Sequence, residues 1–406
     1  MMVQMGARRN YVYASQLEDA GLLHSLVTDF AWPAGQRPGW FVRALLRLRL
    51  ANEGVIARRQ VQSVDSKRLR TSLLPTMVSG LKRFMHVEQT FVIADFVLAV
   101  ATGRRSLSSV KLLVNYHGNG GPMLSWAKKR GVKIATDFVI TPLCLEIEQA
   151  ERERWPGWEA QTTRQSTIDS YRRKMAELLA ISDLYLCPSP GVVRDLRTLP
   201  GFDPMKVRLT PYGVSGVDVV AAKPERGRIL FVGEAGLRKG IPYLAEAAAL
   251  LRAKLPECQI FVAGHVGDKV RNRPEVADLH FLGQLSRTQL SEEYARADLL
   301  CLPSLAEGSA TTAFEAMANS LPIVTTLSSG TMVEDGREGF IVPERDGISI
   351  ATAIEKIVSN RDLRQAMSQA SFEASKRYSD ENCGATFIRI IIDAVDAPSL
   401  LGVSSI

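Results

Sequence analysis

Short apolar runs that stop at a glycine or a polar turn, then give way to a helical pattern, recur along this chain. Val110 to Tyr116 ends in His117-Gly118-Asn119-Gly120-Gly121 with a helix behind it, and Val132 to Thr136 ends at Asp137. Arg228 to Val232 ends in Gly233-Glu234-Ala235-Gly236, and the next helix carries Leu244, Ala248, Leu251 and Leu255 on one face. Gln259 to Ala263, His280 to Leu282, Asp298 to Leu302 and Leu321 to Thr325 continue the series. Strand, helix, strand in repetition predicts an α/β chain built on doubly wound parallel sheets. In such sheets ligands sit beyond the C-terminal strand ends. The turns just named are therefore where function is to be sought.

At 406 residues the chain is too long for one ordinary domain and suits two. Ser215 to Gly227 is polar and carries Pro224, which predicts domains over 1–214 and 215–379, with an apolar helix over 380–397. Charge is split between them. Up to Ser215 there are 30 Lys and Arg against 18 Asp and Glu; the remainder has 20 against 25. The first half is thus expected to meet something anionic: nucleic acid, a membrane surface or a phosphorylated substrate. Residues 37–85 concentrate the basic side chains, and Phe41, Leu45 and Leu48 fall on one helical face. That pattern fits either a solvated helix over a core or an amphipathic surface on anionic lipid. No nucleic-acid module accompanies the charge, so nucleic acid is the weakest of the three. The five cysteines show no metal-ligand spacing, and no apolar run is long enough for a signal peptide or a membrane span. A cytoplasmic, reduced protein is expected.

The most informative stretch runs from Leu302 to Ala318: a strand end, the turn Glu307-Gly308-Ser309, and a helix from about Ala310. A helix N-terminus at Gly308, Ser309, Ala310 and Thr311 offers backbone N–H groups and a favourable dipole to an anion. Glu307 and Glu315 can accept hydrogen bonds from sugar hydroxyls. Eight residues along a helix rise about 12 Å, so the pair suits two ligand clamps better than a glycosidase acid and base. Arg238 and Lys239, in the glycine-rich turn after Val232, form a second anion site; positive charge before a helix is otherwise unfavourable. Gly264 and the turn Gly283-Gln284-Leu285 lie at neighbouring strand ends. In the first half, Gly6 opens a turn with Arg8 and Arg9, and His117 and Asp137 stand at strand ends. Glu146 to Glu177, broken at Pro156-Gly157, reads as a charged helical arm over the cleft.

These residues resemble a known family. Pro303-Ser304…Glu307-Gly308…Glu315-Ala316-Met317-Ala318…Pro322 resembles the nucleotide-sugar signature of the family 4 retaining glycosyltransferases (glycosyl transferases group 1). Gly233…Arg238-Lys239-Gly240 resembles their diphosphate loop, Pro211-Tyr212-Gly213-Val214 the strand end before their linker, and Gly339-Phe340-Ile341-Val342 with Asp346 the stretch after their donor site. The match runs from about Ile181 to Lys376. The resemblance implies a GT-B fold, two Rossmann-like domains facing a cleft, with the last helix crossing back to the first. It implies that Glu307 binds the donor sugar, Glu315 the ribose, and Arg238 and Lys239 the diphosphate, with Gly308 and Ser309 amides assisting. The base would lie near Gly264, Gly283 and Leu285. Transfer would retain configuration; with no metal cluster in the sequence, the protein's own cations would replace a metal, and the basic first half motivates a membrane-linked acceptor, a polysaccharide being the other expectation. The chain departs from the family in carrying Glu234 where many members have Arg. It also leaves open whether His117 or Asp137 takes the place of the family's first-domain His. A sugar-nucleotide epimerase on the same fold and a non-catalytic scaffold are the competing readings.

Overall fold

The computed structural model describes residues 1–36, 58–76, 87–160, 162–214 and 220–396. Much of the basic segment 37–85, including Phe41, Leu45 and Leu48, lies outside them, as does the linker 215–219. The strands are β1 (Met2–Val3), β2 (Leu26–Thr28), β3 (Trp32–Pro33), β4 (Gln60–Val61), β5 (Leu69–Thr71), β6 (Leu112–Tyr116), β7 (Lys133–Asp137), β8 (Leu184–Cys187), β9 (Val207–Leu209), β10 (Arg228–Val232), β11 (Gln259–Ala263), β12 (Leu279–Gly283), β13 (Leu299–Leu302), β14 (Ile323–Thr325) and β15 (Gly339–Ile341). The first sheet has the order β5-β2-β1-β6-β7-β8-β9 and the second β12-β11-β10-β13-β14-β15. All pairings in both are parallel. Both orders reverse beside the first strand, which is the doubly wound plan.

The central strands are the ones the sequence announces most clearly, because helices cover both of their faces. Every residue of β6, β8, β10 and β13 is buried. Each Leu, Ile or Val taken from water there contributes about 1.5–3 kcal/mol. The helix starts have local causes. Ser286 and Gln289 form a reciprocal capping box for Arg287–Arg296, and Asp346 and Asn360 cap the two helices that follow.

The chain passes between domains twice at one place. Val214 N donates to Tyr378 O (3.0 Å), and Asp380 N donates back to Val214 O (3.2 Å). Gly213 permits this crossing, since an added Cβ would lie 2.6 Å from the Asp380 backbone. The last helix, Asp380–Asp396, then packs on the first domain. Phe387 stacks on Tyr13 with ring centroids 3.9 Å apart, and Lys133 Nζ donates to Ala394 O. Among the described residues no helix is long and apolar enough to cross a membrane.

Candidate functional site

The ends of β10 and β13 meet where the second sheet reverses its order. The loop after β10 closes in a 3-10 turn, Leu237–Lys239, and Gly240 (φ 74°) leads into the helix Ile241–Lys254. Only glycine fits there: the conformation is left-handed and an added Cβ would lie 2.1 Å from Pro303 O. Leu305 N also donates to Arg238 O at 2.9 Å. This backbone contact between the two loops brings distant side chains together. Arg238 Nη1 and Lys239 Nζ both donate to Glu307 Oε1, the lysine at 2.8 Å. Arg238 Nη1 donates to Ala306 O (2.8 Å), and its Nε lies 3.6 Å from Glu148. Burial alone would lower the Arg238 pKa. The Glu307 carboxylate outweighs it, aided by Cys144 and Glu148, and holds the guanidinium above its ordinary value.

Gly308 presses on the first domain, where an added Cβ would lie 1.7 Å from Val139 O. Beside it Thr141 N donates to Glu307 O at 3.3 Å. Ser309 Oγ accepts from Tyr212 N at 3.4 Å, and Ala310 N donates to Gly330 O at 3.2 Å, so that amide is already engaged. Thr311 opens the helix Thr311–Ala318 and is exposed. Glu315 is half-buried and accepts the Tyr294 hydroxyl at 2.9 Å; burial raises its carboxyl above the usual range. The two glutamates therefore have different surroundings, one between cations at the strand end and one against a tyrosine inside the helix. Gly264 packs on β10, its N donating to Gly283 O at 2.8 Å, and a Cβ there would lie 1.9 Å from Gly233 O. With half-buried Leu285 these turns make one rim along the ends of β10, β11 and β12.

An open cleft of about 650 Å³ lies beside Arg238 and Lys239. The second domain supplies Glu234, Gly236, His265 and Asp268 to it. The opposite wall comes from the stretch expected over the cleft and is lined by Trp158 and by Glu148, Arg152 and Glu159, which the sequence did not mark out. Of the stretch expected over the cleft, only the first part forms this wall, the helix Cys144–Arg154 and the turn after it; the rest, the helix Gln165–Ile181, packs on the first domain's core through Met175, Leu178 and Leu179. Trp158 is 1% exposed and belongs to the second domain's core.

The first-domain candidates separate. Gly6 (φ 80°) donates its N–H to Asp29 Oδ1 at 3.0 Å. His117 is buried at the end of β6, with Nε2 3.4 Å from Tyr171 Oη. Asp137 differs from its expected place. It is fully buried, and both carboxylate oxygens accept from the Tyr212 hydroxyl, at 2.9 and 3.1 Å. It therefore faces the domain crossing rather than the cleft. The reason is the period of the strand: Asp137 shares a face of β7 with Ala135, on the side packed by the last helix.

Comparison with known proteins bears on this geometry. Residues 218–374 match the model of the glycosyl transferases group 1 family. That range contains Arg238, Lys239, Gly264, Glu307 and Glu315. The second domain is thus similar to the group 1 glycosyl transferases over most of its length. The whole chain has the GT-B fold: the sucrose-phosphate synthase of Thermosynechococcus elongatus superposes on 97% of this chain and 98% of its own, with a TM-score of 0.62 at 15% identity. Among curated relatives, the sulfoquinovosyl transferase SQD2 of Arabidopsis thaliana is 26% identical over 235 residues, covering 51% of this chain and 44% of that protein. The phosphatidyl-myo-inositol mannosyltransferase of Mycobacterium leprae is 25% identical over 305 residues, covering 72% of this chain and 76% of that protein. The chain thus spans less than half the length of the first of these relatives and about three quarters of the second.

Proposed function

We propose that the chain is a retaining glycosyltransferase of the family 4 type. It moves a hexosyl group from a nucleoside-diphosphate sugar to a membrane-linked or polysaccharide acceptor, in the making of cell-surface glycans. The observation that carries this reading is the place of Glu307. It sits at the switch point of the second domain, bonded by Arg238 and Lys239, with the first domain across the cleft. In this reading the two cations exchange Glu307 for the diphosphate. Glu307 then accepts from a sugar hydroxyl, Glu315 from the ribose, and the rim at Gly264, Gly283 and Leu285 takes the base. His117 holds the first-domain place near the sugar. As the bond from the sugar to the diphosphate breaks, negative charge grows on the leaving oxygen. Arg238 and Lys239 are already placed to stabilise it, which is electrostatic catalysis. The acceptor enters on the same side and gives its proton to that oxygen. The two cations stand in for a divalent metal, so transfer is expected to persist in EDTA.

The names of the relatives, one a phosphatidyl-inositol enzyme, support a lipid-linked acceptor. So does the helix Val87–Thr102, on which Val92, Phe96 and Val100 are each more than half exposed at four-residue spacing. With the basic residues of 37–85 this favours a cytoplasmic protein docked on the inner face of the membrane. The test is a panel of nucleotide sugars read by thermal stabilisation, followed by product analysis with and without acceptor. A true donor at one hundred times its Kd stabilises by about 2.7 kcal/mol. Product formed without acceptor identifies an epimerase instead, and stabilisation by none of the panel identifies a scaffold.

A further inference from the structure

The seat assigned above to the diphosphate is filled by carboxylates from the opposite domain. Glu159 Oε1 accepts from Leu237 N at 2.9 Å, at the head of the turn that carries Arg238 and Lys239. It lies 3.1 Å from where a Cβ on Gly236 would be, so the glycine leaves room for this oxygen. Glu148 Oε1 is 3.6 Å from Arg238 Nε. A backbone amide and a guanidinium are the donors a phosphate oxygen would use.

We propose that Glu159 and Glu148 are placeholders, carboxylates that occupy the phosphate seat and give way to the donor's diphosphate by side-chain rotation. The inference rests on the donor-site reading above. Three features fit exchange better than a fixed structural tie. Glu159 and Glu148 are 27% and 22% exposed, so both can reach solvent. Both have a second partner within the arm, since Arg152 Nε lies 3.1 Å from Glu159 Oε2 and Arg152 Nη2 lies 3.1 Å from Glu148 Oε2. Trp158, sealed in the second domain's core, keeps the arm itself in position while the side chains move. The first domain shows what a permanent arrangement looks like. There Asp95 Oδ1 accepts from Gly120 N at 2.7 Å, at the head of the helix Gly121–Lys128, from within its own domain and with only 4% exposure.

The test is titration calorimetry with inorganic pyrophosphate and with UDP, GDP and ADP, on the wild type, Glu159→Ala and Glu159→Gln. Removing a competing carboxylate is expected to tighten binding about tenfold, even though Glu159→Ala melts at a lower temperature for want of its tie to Leu237. A merely structural role would lower both melting temperature and affinity. Unchanged or weaker binding in both variants, with wild-type binding intact, overturns the placeholder and leaves the donor-site reading standing. Failure of all four ligands to bind any version overturns the donor-site reading and the placeholder with it.

Discussion

Changing Glu307 to Gln separates two roles that the site gives one side chain. The carboxylate is bonded by Arg238 and Lys239, and all three side chains are largely shielded: Arg238 is 28% exposed, Lys239 14% and Glu307 13%. The amide keeps the shape and removes the charge. A hydrogen bond to a charged group is worth about 1.5–3 kcal/mol net. Allowing for the exposure of Arg238, about 1–2 kcal/mol of competition with a bound diphosphate disappears. The affinity for a nucleoside diphosphate should rise about 5- to 30-fold. Transfer should move the other way, because a neutral amide is the weaker acceptor for a sugar hydroxyl. Losing one charge-assisted bond in the transition state corresponds to a roughly 10- to 150-fold fall in kcat/KM. Calorimetry with the nucleoside diphosphate and initial rates with the matching nucleotide sugar read the two effects on one preparation. Weaker diphosphate binding in the variant would refute the view that Glu307 and the diphosphate share the same cations.

Two further expectations concern stability. Burial raises the Asp95 carboxyl from the ordinary 3.8 to about 6, despite the Gly120 N–H it accepts. As pH climbs through 4 the unfolded chain loses that proton while the folded chain keeps it, so stability drains away until about pH 6. The loss is about 3 kcal/mol. Asp95→Asn should abolish it, and a urea-unfolding difference between variant and wild type that stays constant from pH 4 to 7 would count against this. In the second domain, fully buried Asp298 accepts from Gly227 N, from Arg361 at 2.7 and 2.8 Å and from Arg364 Nε at 3.1 Å. Asp298→Asn leaves the buried Arg364 guanidinium without its counter-charge and should cost about 3–5 kcal/mol; a shift below about 1 kcal/mol in urea unfolding would show that the pair is not needed.

What the sequence disclosed follows how the information is stored. β10 and β11 were readable to the residue because an apolar run bounded by turns is a local signal. β5, Leu69–Thr71, was not: it is a three-residue edge strand with one apolar side chain, inside the basic segment. Within the apolar helix Val87–Thr102, the charge at Asp95 makes sense only once Gly120 is beside it. That Arg238, Lys239 and Glu307 come together at strand ends was legible because turns and helix starts mark those positions. The side chains across the cleft were not, since Glu159 meets Leu237 across 78 residues of chain. The charged arm gave the only hint. Asp137 was misplaced because a strand's last residue points to one face or the other, and nothing local says which face a distant helix will cover.

The contrast between the two switch points bears on where the acceptor can bind. Both sheets reverse order beside their first strand, so each presents a loop and a helix start to the cleft. In the second domain that place carries Arg238 and Lys239, both bonded to Glu307. In the first, the helix start is filled by Asp95, and Arg9 is engaged at the domain crossing. Its guanidinium lies between the rings of Tyr13 and Tyr212, 4.5 and 4.3 Å from their centroids, and 3.5 Å from Asp380. Arg9, Asn10 and Tyr11 all take left-handed backbone conformations to put it there, a strain of about 1–3 kcal/mol per residue that the domain crossing must offset. Arg59 and Arg68 are likewise paired, with Asp29 and Glu18. Among the described residues, Arg9, Arg59 and Arg68 therefore build no second phosphate seat at that switch point. Lys67 and Arg70, by contrast, are exposed on the outside of the first domain, away from the pairs that engage Arg9, Arg59 and Arg68.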